Sequence, residues 1–268
     1  MGLMLDRPRE YKVLTLQVCV TCGVFSCILC PMHPDTPPEM APNVRVWDLP
    51  TRLFHWLLVA FVVGLIVTGN MGGDMMAWHA RFGFAVLALV LFRLGWGFWG
   101  GHWSRFKQFD LNPKSALAYA RHIQRGSHQP QLGHNPLGAW SICAVLILLA
   151  LQVASGMVAD DEIAFMGPFS PWASGETVTL ATWYHKAVGQ KLLLLWFALH
   201  ICAMIFHRWR FGENLVVAMF SGDKVFHAPS TPSQDRWAQR LLALLALALC
   251  ALAVWWLVNL PSSGGISG

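Results

Sequence analysis

The chain has 268 residues, of which 55% are hydrophobic and only 12% charged, a charged share about half that of soluble proteins. With the long apolar runs, that balance excludes an ordinary soluble domain and specifies an integral membrane protein. The net charge of +5 is distributed between the runs, so it reports orientation in a bilayer and not a nucleic-acid footprint.

Residues 1–42 differ from the rest. A charged start, Asp6 to Lys12, leads into Val13–Cys30, an apolar run diluted by Thr15, Gln17, Thr21 and Ser26, and a proline-rich stretch follows. The segment reads as signal-like, as a weak extra span, or as an over-long gene start with Met40 as the true initiator. No A-x-A cleavage pattern is present, which argues against a secretory signal, and the over-long start is the favoured reading. Two C-x-x-C pairs, Cys19/Cys22 and Cys27/Cys30, are followed by Gly23 and Pro31. Covalent haem attachment needs histidine there, and the apolar surroundings and short gap argue against zinc.

From Val44 the pattern is regular. Span one is Leu53–Gly69, preceded by Arg45, Asp48 and Arg52, and span two is about Ala77–Trp99, opening on HARFGF. The loop from 100 to 136 is basic, and its Asn112-Pro113-Lys114-Ser115 start predicts a short interfacial helix. Span three is Leu137–Val158. The loop Ala159–Trp183 carries Asp160, Asp161, Glu162 and Glu176 and no Lys or Arg. Span four is Tyr184–His207, span five is Leu241–Val258, and a Ser/Gly tail closes the chain. Trp56, Trp78, Trp99, Trp140, Trp183, Trp209 and Trp237 sit where apolar runs meet polar ones, as an aromatic belt does. Basic segments before span one, between two and three, and between four and five place those sides in the cytoplasm and the C-terminus outside.

Ionisable residues inside spans are costly and mark function. His55 lies at the cytoplasmic end of span one, His79 opens span two on the outer side, His185 opens span four on the outer side, and His200 lies near its cytoplasmic end. His185 and His200 are fifteen residues apart, about 22 Å along a helix and about 60° around it. Depth therefore pairs His55 with His200 and His79 with His185. Each pair can supply two axial nitrogens to one haem iron, and an iron with no open position suits one-electron transfer. His207 is read as interfacial, and the loop histidines, His134 among them, as solvated or headgroup-facing. Gly83 and Gly189, one turn after His79 and His185, would let a flat ring approach the backbone. Arg52, Arg81 and Lys186 are placed to pair with haem propionates or with lipid phosphates.

VRVWDLPTRLFHW, WHARFGF, the NPLG that enters span three, the DDEI after it and the histidine pair of span four together resemble the bacterial cytochrome b561 family, which includes the di-haem b-type cytochrome subunits of nickel–iron hydrogenases. The resemblance covers roughly Val44 to Gly222. It implies an all-α integral membrane protein, with a four-helix haem-binding core over residues 43–222, two b haems ligated by His55, His79, His185 and His200, and a role in carrying electrons across the cytoplasmic membrane. The partners it implies are a periplasmic c-type cytochrome or a hydrogenase on one side and quinone on the other. Two departures stand out. The family's spacing between the span-four ligands is usually one residue shorter, which the helix absorbs within its broad face or by a local π-bulge. Residues 223–268, a linker with the fifth span, lie outside the four-helix core. The rival readings are a haem-free transporter using its intramembrane histidines, against which spans one to four hold no Asp or Glu, and a structural anchor of a respiratory complex.

Overall fold

The computed structural model describes residues 43–260, apart from 128, 129, 164 and 227; residues 1–42 with their cysteine pairs, and the Ser/Gly tail, lie outside the described residues. The fold is a helical membrane bundle. Among the described residues five helical stretches are long and apolar enough to cross a membrane. A short strand β1 (Asn43–Arg45) leads to α1 (Leu49–Met71) and α2 (Met76–Trp99), and a short helix α3 (Pro113–Gln124) precedes α4 (Pro136–Val158). The next crossing joins α5 (Gly175–Trp183), a π-helical segment (Tyr184–Gly189) and α6 (Gln190–Phe211) in one rod. A short α7 (Leu215–Ser221), strand β2 (Asp223–Val225) and α8 (Trp237–Asn259) complete the order.

The helix starts follow from local chemistry. Asp48, Asn112 and Asn135 each stand before α1, α3 and α4 with a side-chain oxygen accepting from a first-turn amide and a proline in the first two helical positions. Those amides have no intrahelical partner, and proline has none to lose. Ser174 caps α5 in the same way through Thr177 N–H. The acidic stretch expected to be a loop as far as Trp183 is therefore helical from Gly175, because this cap starts the helix inside it.

In lipid, apolar contact between helices gains little over contact with acyl chains, so close packing, small residues and hydrogen bonds decide the arrangement. Antiparallel α1 and α2 meet through Phe61–Phe82 and Phe54–Phe92, with Gly64 leaving room for the Phe82 ring. Val86 and Val90 of α2 join Leu149 and Val153 of α4 and Leu193 of α6 in the buried centre. The α8 helix lies against α2, where Ala243 packs with Phe92 and Trp96. Leu241, Leu244, Leu249 and Leu252 of α8, like Val59, Val63 and Val67 of α1, stay exposed and form the lipid-facing surface. Trp78, Trp99, Trp140, Trp183, Trp209 and Trp237 are also exposed, while Trp56 stacks on Phe220 at 4.2 Å.

The end of the bundle where α1 begins, here the proximal end, is tied by polar contacts. Strands β1 and β2 pair antiparallel, and Gly222, at φ 89° where a side chain would be strained, turns its carbonyl to accept from Val46 N–H and Trp47 N–H. Asp235 accepts from Leu49 N–H and ion-pairs with Arg45, Arg52 and Arg240. Asp48, only 1% exposed, accepts from Thr51 N–H, Ser104 Oγ, Trp96 Nε1 and Gly101 N–H. Buried carboxylates need such partners, and four donors saturate this one.

Candidate functional site

The four intramembrane histidines meet in two pairs at two depths. His55 of α1 and His200 of α6 face each other at the proximal end with ring centres 6.5 Å apart. His79 of α2 and His185 of the π segment do so at the opposite, distal end with centres 6.0 Å apart. A metal–imidazole bond is about 2.0 Å, and the ring centre lies about 1.1 Å beyond the nitrogen, so two imidazoles on opposite sides of one metal have centres about 6.2 Å apart. Both pairs meet that spacing. Each pair offers two nitrogens, so a metal there takes its other ligands from a macrocycle or from solvent.

The distal rings are oriented by backbone. His79 Nδ1 is 3.0 Å from the Leu65 carbonyl and His185 Nδ1 is 2.9 Å from the Gln152 carbonyl. A carbonyl only accepts, so each Nδ1 carries the hydrogen and each Nε2 keeps its lone pair for a metal. Thr68 and Ser155 hydroxyls lie 3.4 Å from the same two nitrogens. Two glycines give the rings room: a Cβ at Gly69 would stand 3.0 Å from the His79 ring, and one at Gly156 would stand 2.7 Å from the His185 ring. The proximal pair is held differently, His200 stacking on Trp196 at 5.1 Å and His55 edge-on to Trp56.

A cavity opens between the distal histidines, walled by Leu65, Gly69, Gly83, Val153, Gly156 and Lys186 among others. Gly83 leaves space that no protein atom fills, since a Cβ there would meet nothing within 4 Å. An apolar slot between two metal-ready nitrogens, with one wall stripped to backbone, fits a flat hydrophobic macrocycle. Gly189 does not share that role: a Cβ there would land on Gln152 Oε1, so the glycine lets the π segment pack against α4.

The expected propionate partners separate. Lys186 is exposed in the cavity wall beside His185. Arg81 is exposed with its guanidinium 4.8 Å over the Trp78 ring. Arg52 turns to Asp235 and the Phe220 carbonyl. His207 joins neither pair; it is 7% exposed with Nδ1 3.3 Å from Glu213. His134 is not a solvated loop residue either. Its ring packs 4.5 Å from Trp47 and 5.1 Å from Phe109, and burial, with Arg93 and Lys224 nearby, pushes its pKa down to about 3.

The π segment resolves the spacing on the fourth crossing. One extra residue in a π turn leaves the flanking helix in phase, so His185 and His200 stand as if fourteen residues apart. That is about 40° around the helix instead of the 60° of a regular one. The residues that hold the distal rings, Gln152, Ser155 and Gly156 on α4 and Thr68 and Gly69 on α1, were not singled out in the sequence. Polar side chains beside glycine inside otherwise apolar spans were the available signal.

The family described as prokaryotic cytochrome b561 matches residues 46–222. A probable Ni/Fe-hydrogenase B-type cytochrome subunit of Bradyrhizobium diazoefficiens is 23% identical over 222 residues, 69% of this chain and 87% of that protein. A protein of the same description from Cupriavidus necator is 25% identical over 215 residues, 68% of this chain and 86% of its own length. No solved structure matches the chain.

Proposed function

The chain belongs to the prokaryotic cytochrome b561 family, a membrane electron-transfer cytochrome, and from that premise we propose that it moves electrons between the two bilayer faces through two bis-histidine b haems. The observation that supports this most is the double pairing, His55 with His200 and His79 with His185, each near the spacing of two imidazoles on one metal. His55, His200, His79 and His185 would hold the haems, which would supply one-electron redox chemistry.

The chain's own residues bind and orient. Leu65 and Gln152 carbonyls fix the hydrogen of each distal imidazole on Nδ1, Gly83 opens the slot, and Lys186 is the cation available there to a propionate. Leu65, Val153 and their neighbours give the slot a largely apolar lining, which favours electron transfer over side reactions. The basic segments around α1 and α3 support an orientation with the proximal pair near the cytoplasmic face and the distal pair near the periplasmic face. The two relatives' names associate them with nickel–iron hydrogenase. A hydrogenase or a periplasmic c-type cytochrome at the distal side and quinone at the proximal side complete the reading.

The test is haem b per polypeptide by pyridine haemochromogen assay, with dithionite-reduced spectra of His79→Ala and His200→Ala. Two haems per chain, each substitution removing a different one, is the expected result. Protein without haem, made with ample haem supply, would overturn the reading.

A further inference from the structure

Between α4 and the π segment two residues hold each other from both ends. The His185 ring gives its Nδ1 hydrogen to the Gln152 carbonyl at 2.9 Å, and the Gln152 side chain gives an amide hydrogen to the His185 carbonyl at 3.0 Å. Each side chain also lies against a glycine one turn beyond its partner. A Cβ at Gly156 would stand 2.7 Å from the His185 ring, and one at Gly189 would land on Gln152 Oε1. Gln152 with Gly156 and His185 with Gly189 therefore form the two halves of a reciprocal clasp in the wall of the distal cavity.

The clasp does more than glue two helices together. Gln152 Oε1 is buried with no hydrogen-bond partner, which costs stability, so the amide does not sit there for its own satisfaction. The His185 carbonyl dictates its place, since the amide turned over would set oxygen against oxygen. With its backbone carbonyl and its Nδ1 both tied to α4, His185 is fixed in position and in ring plane. His79 is fixed on the other side by the Leu65 carbonyl at 3.0 Å. The two distal planes cross at 84°. The proximal rings, held against Trp196 and Trp56, cross at 65°.

We infer that Gln152 is a positioning residue for the distal haem, whose side-chain amide, acting through the His185 backbone, keeps the two axial imidazole planes perpendicular. This rests on the two-haem reading above. Groups that orient a ligating histidine tune its metal. Crossed imidazoles leave two iron d orbitals nearly equal in energy and give a strongly anisotropic low-spin ferric spectrum. Parallel imidazoles split those orbitals and give a rhombic one. Without the amide the π segment is free to shift against α4, and the His185 plane turns with it.

The experiment is low-temperature EPR of the oxidised full-chain holoprotein. It compares wild type with Gln152→Met, which keeps the bulk but has no donor, and with Gly189→Ala, whose methyl displaces the amide. The two ferric signals are assigned with His79→Ala and His200→Ala. A strongly anisotropic distal signal is expected in wild type. In both variants its largest g value falls towards the rhombic type, with two haems retained and the proximal signal fixed. A distal signal unmoved in either variant would overturn the proposal, as would an equal shift of the proximal signal or a wild-type distal signal that is already rhombic. Should Gln152→Met lose the distal haem, Gly189→Ala decides on the same signal. Loss of that haem from both would overturn the proposal too, because a residue that only sets a ring plane does not remove the seat. Wild-type protein with fewer than two haems would count against the function reading itself and is distinguishable from all of these outcomes.

Discussion

Deleting Ala187, inside the π segment Tyr184–Gly189, removes the one extra residue without disturbing the phase of the helix on either side. His185 and His200 then stand fourteen residues apart in a regular helix, about 21 Å along it and about 40° around it, as they do now. Both histidine pairs survive the deletion, and the segment regains regular hydrogen bonding. Inserting one alanine after Leu194 does the opposite. It turns everything beyond by about 100° and, with an imidazole about 6 Å from the helix axis, moves the His200 ring by about 9 Å. That exceeds the present 6.5 Å between the His55 and His200 ring centres, so the proximal pair is lost. The assay is haem per polypeptide with reduced spectra. Two haems in the deletion and one in the insertion are expected. A deletion variant that loses the distal haem would refute the account of the π turn as a register correction, and an insertion variant that keeps both haems would refute the pairing.

Gly156→Val drives side-chain atoms into the His185 ring, whose nearest carbon a Cβ would meet at 2.7 Å; overpacking of this kind costs about 1–3 kcal/mol, and selective loss of the distal haem in the reduced spectrum is expected. Gly83→Phe starts from a Cβ position with no protein atom within 4 Å, so the chain should fold and insert normally yet bind one haem; two haems would show that the slot is not the binding site. His134, held at about 3 by burial and by Arg93 and Lys224, stays neutral in the fold but takes a proton below about 6.5 when unfolded. Stability therefore falls as pH drops through that window, by at most about 2 kcal/mol between pH 7 and 5. The ring edge is not sealed from solvent, so the loss will be smaller, and thermal unfolding of His134→Phe at both pH values should show a flatter dependence than wild type. For Asp235, burial favours the neutral carboxyl, but Arg240, Leu49 N–H and Arg45 outweigh it and lower its pKa. Its contribution is present above the ordinary carboxylate range and is lost as pH falls through the lowered value. Asp235→Asn at neutral pH should cost about 2–3 kcal/mol, read as faster hydrogen exchange of residues 43–52; unchanged exchange would refute a structural role for the ion pairs.

The histidine pairs were legible because the signal is one-dimensional. A bilayer fixes depth, helix rise converts sequence position to depth, and His55, His79, His185 and His200 sort by that coordinate alone. Helix starts at Asn112-Pro113 and Asn135-Pro136 were equally local. What stayed hidden depends on rotation and on contacts across the chain. The start of the fourth crossing was misplaced because Glu176, in the first turn after Ser174, was counted with Asp160–Glu162 as one acidic loop. Gly189 was read by spacing as room for a flat ring, and only the packing of α4 reveals that Gln152 occupies that side. His134 looked solvated because its covers, Trp47 and Phe109, come from segments far away in sequence.

The proximal ties have a consequence for assembly in time. Residues 43–52 are fastened by Gly222, Asp223 and Asp235, which a ribosome adds more than 160 positions later. Until they emerge, the base of α1 is held only by the contacts of Asp48 with Trp96, Gly101 and Ser104. His55 rides on that partly fastened helix, whereas His79 and His185 take their backbone anchors from Leu65 and Gln152, both made earlier than Asp235. The anchors of the distal histidine pair are complete first and the ties around the proximal pair last, so on the two-haem reading vectorial synthesis favours loading the distal seat first.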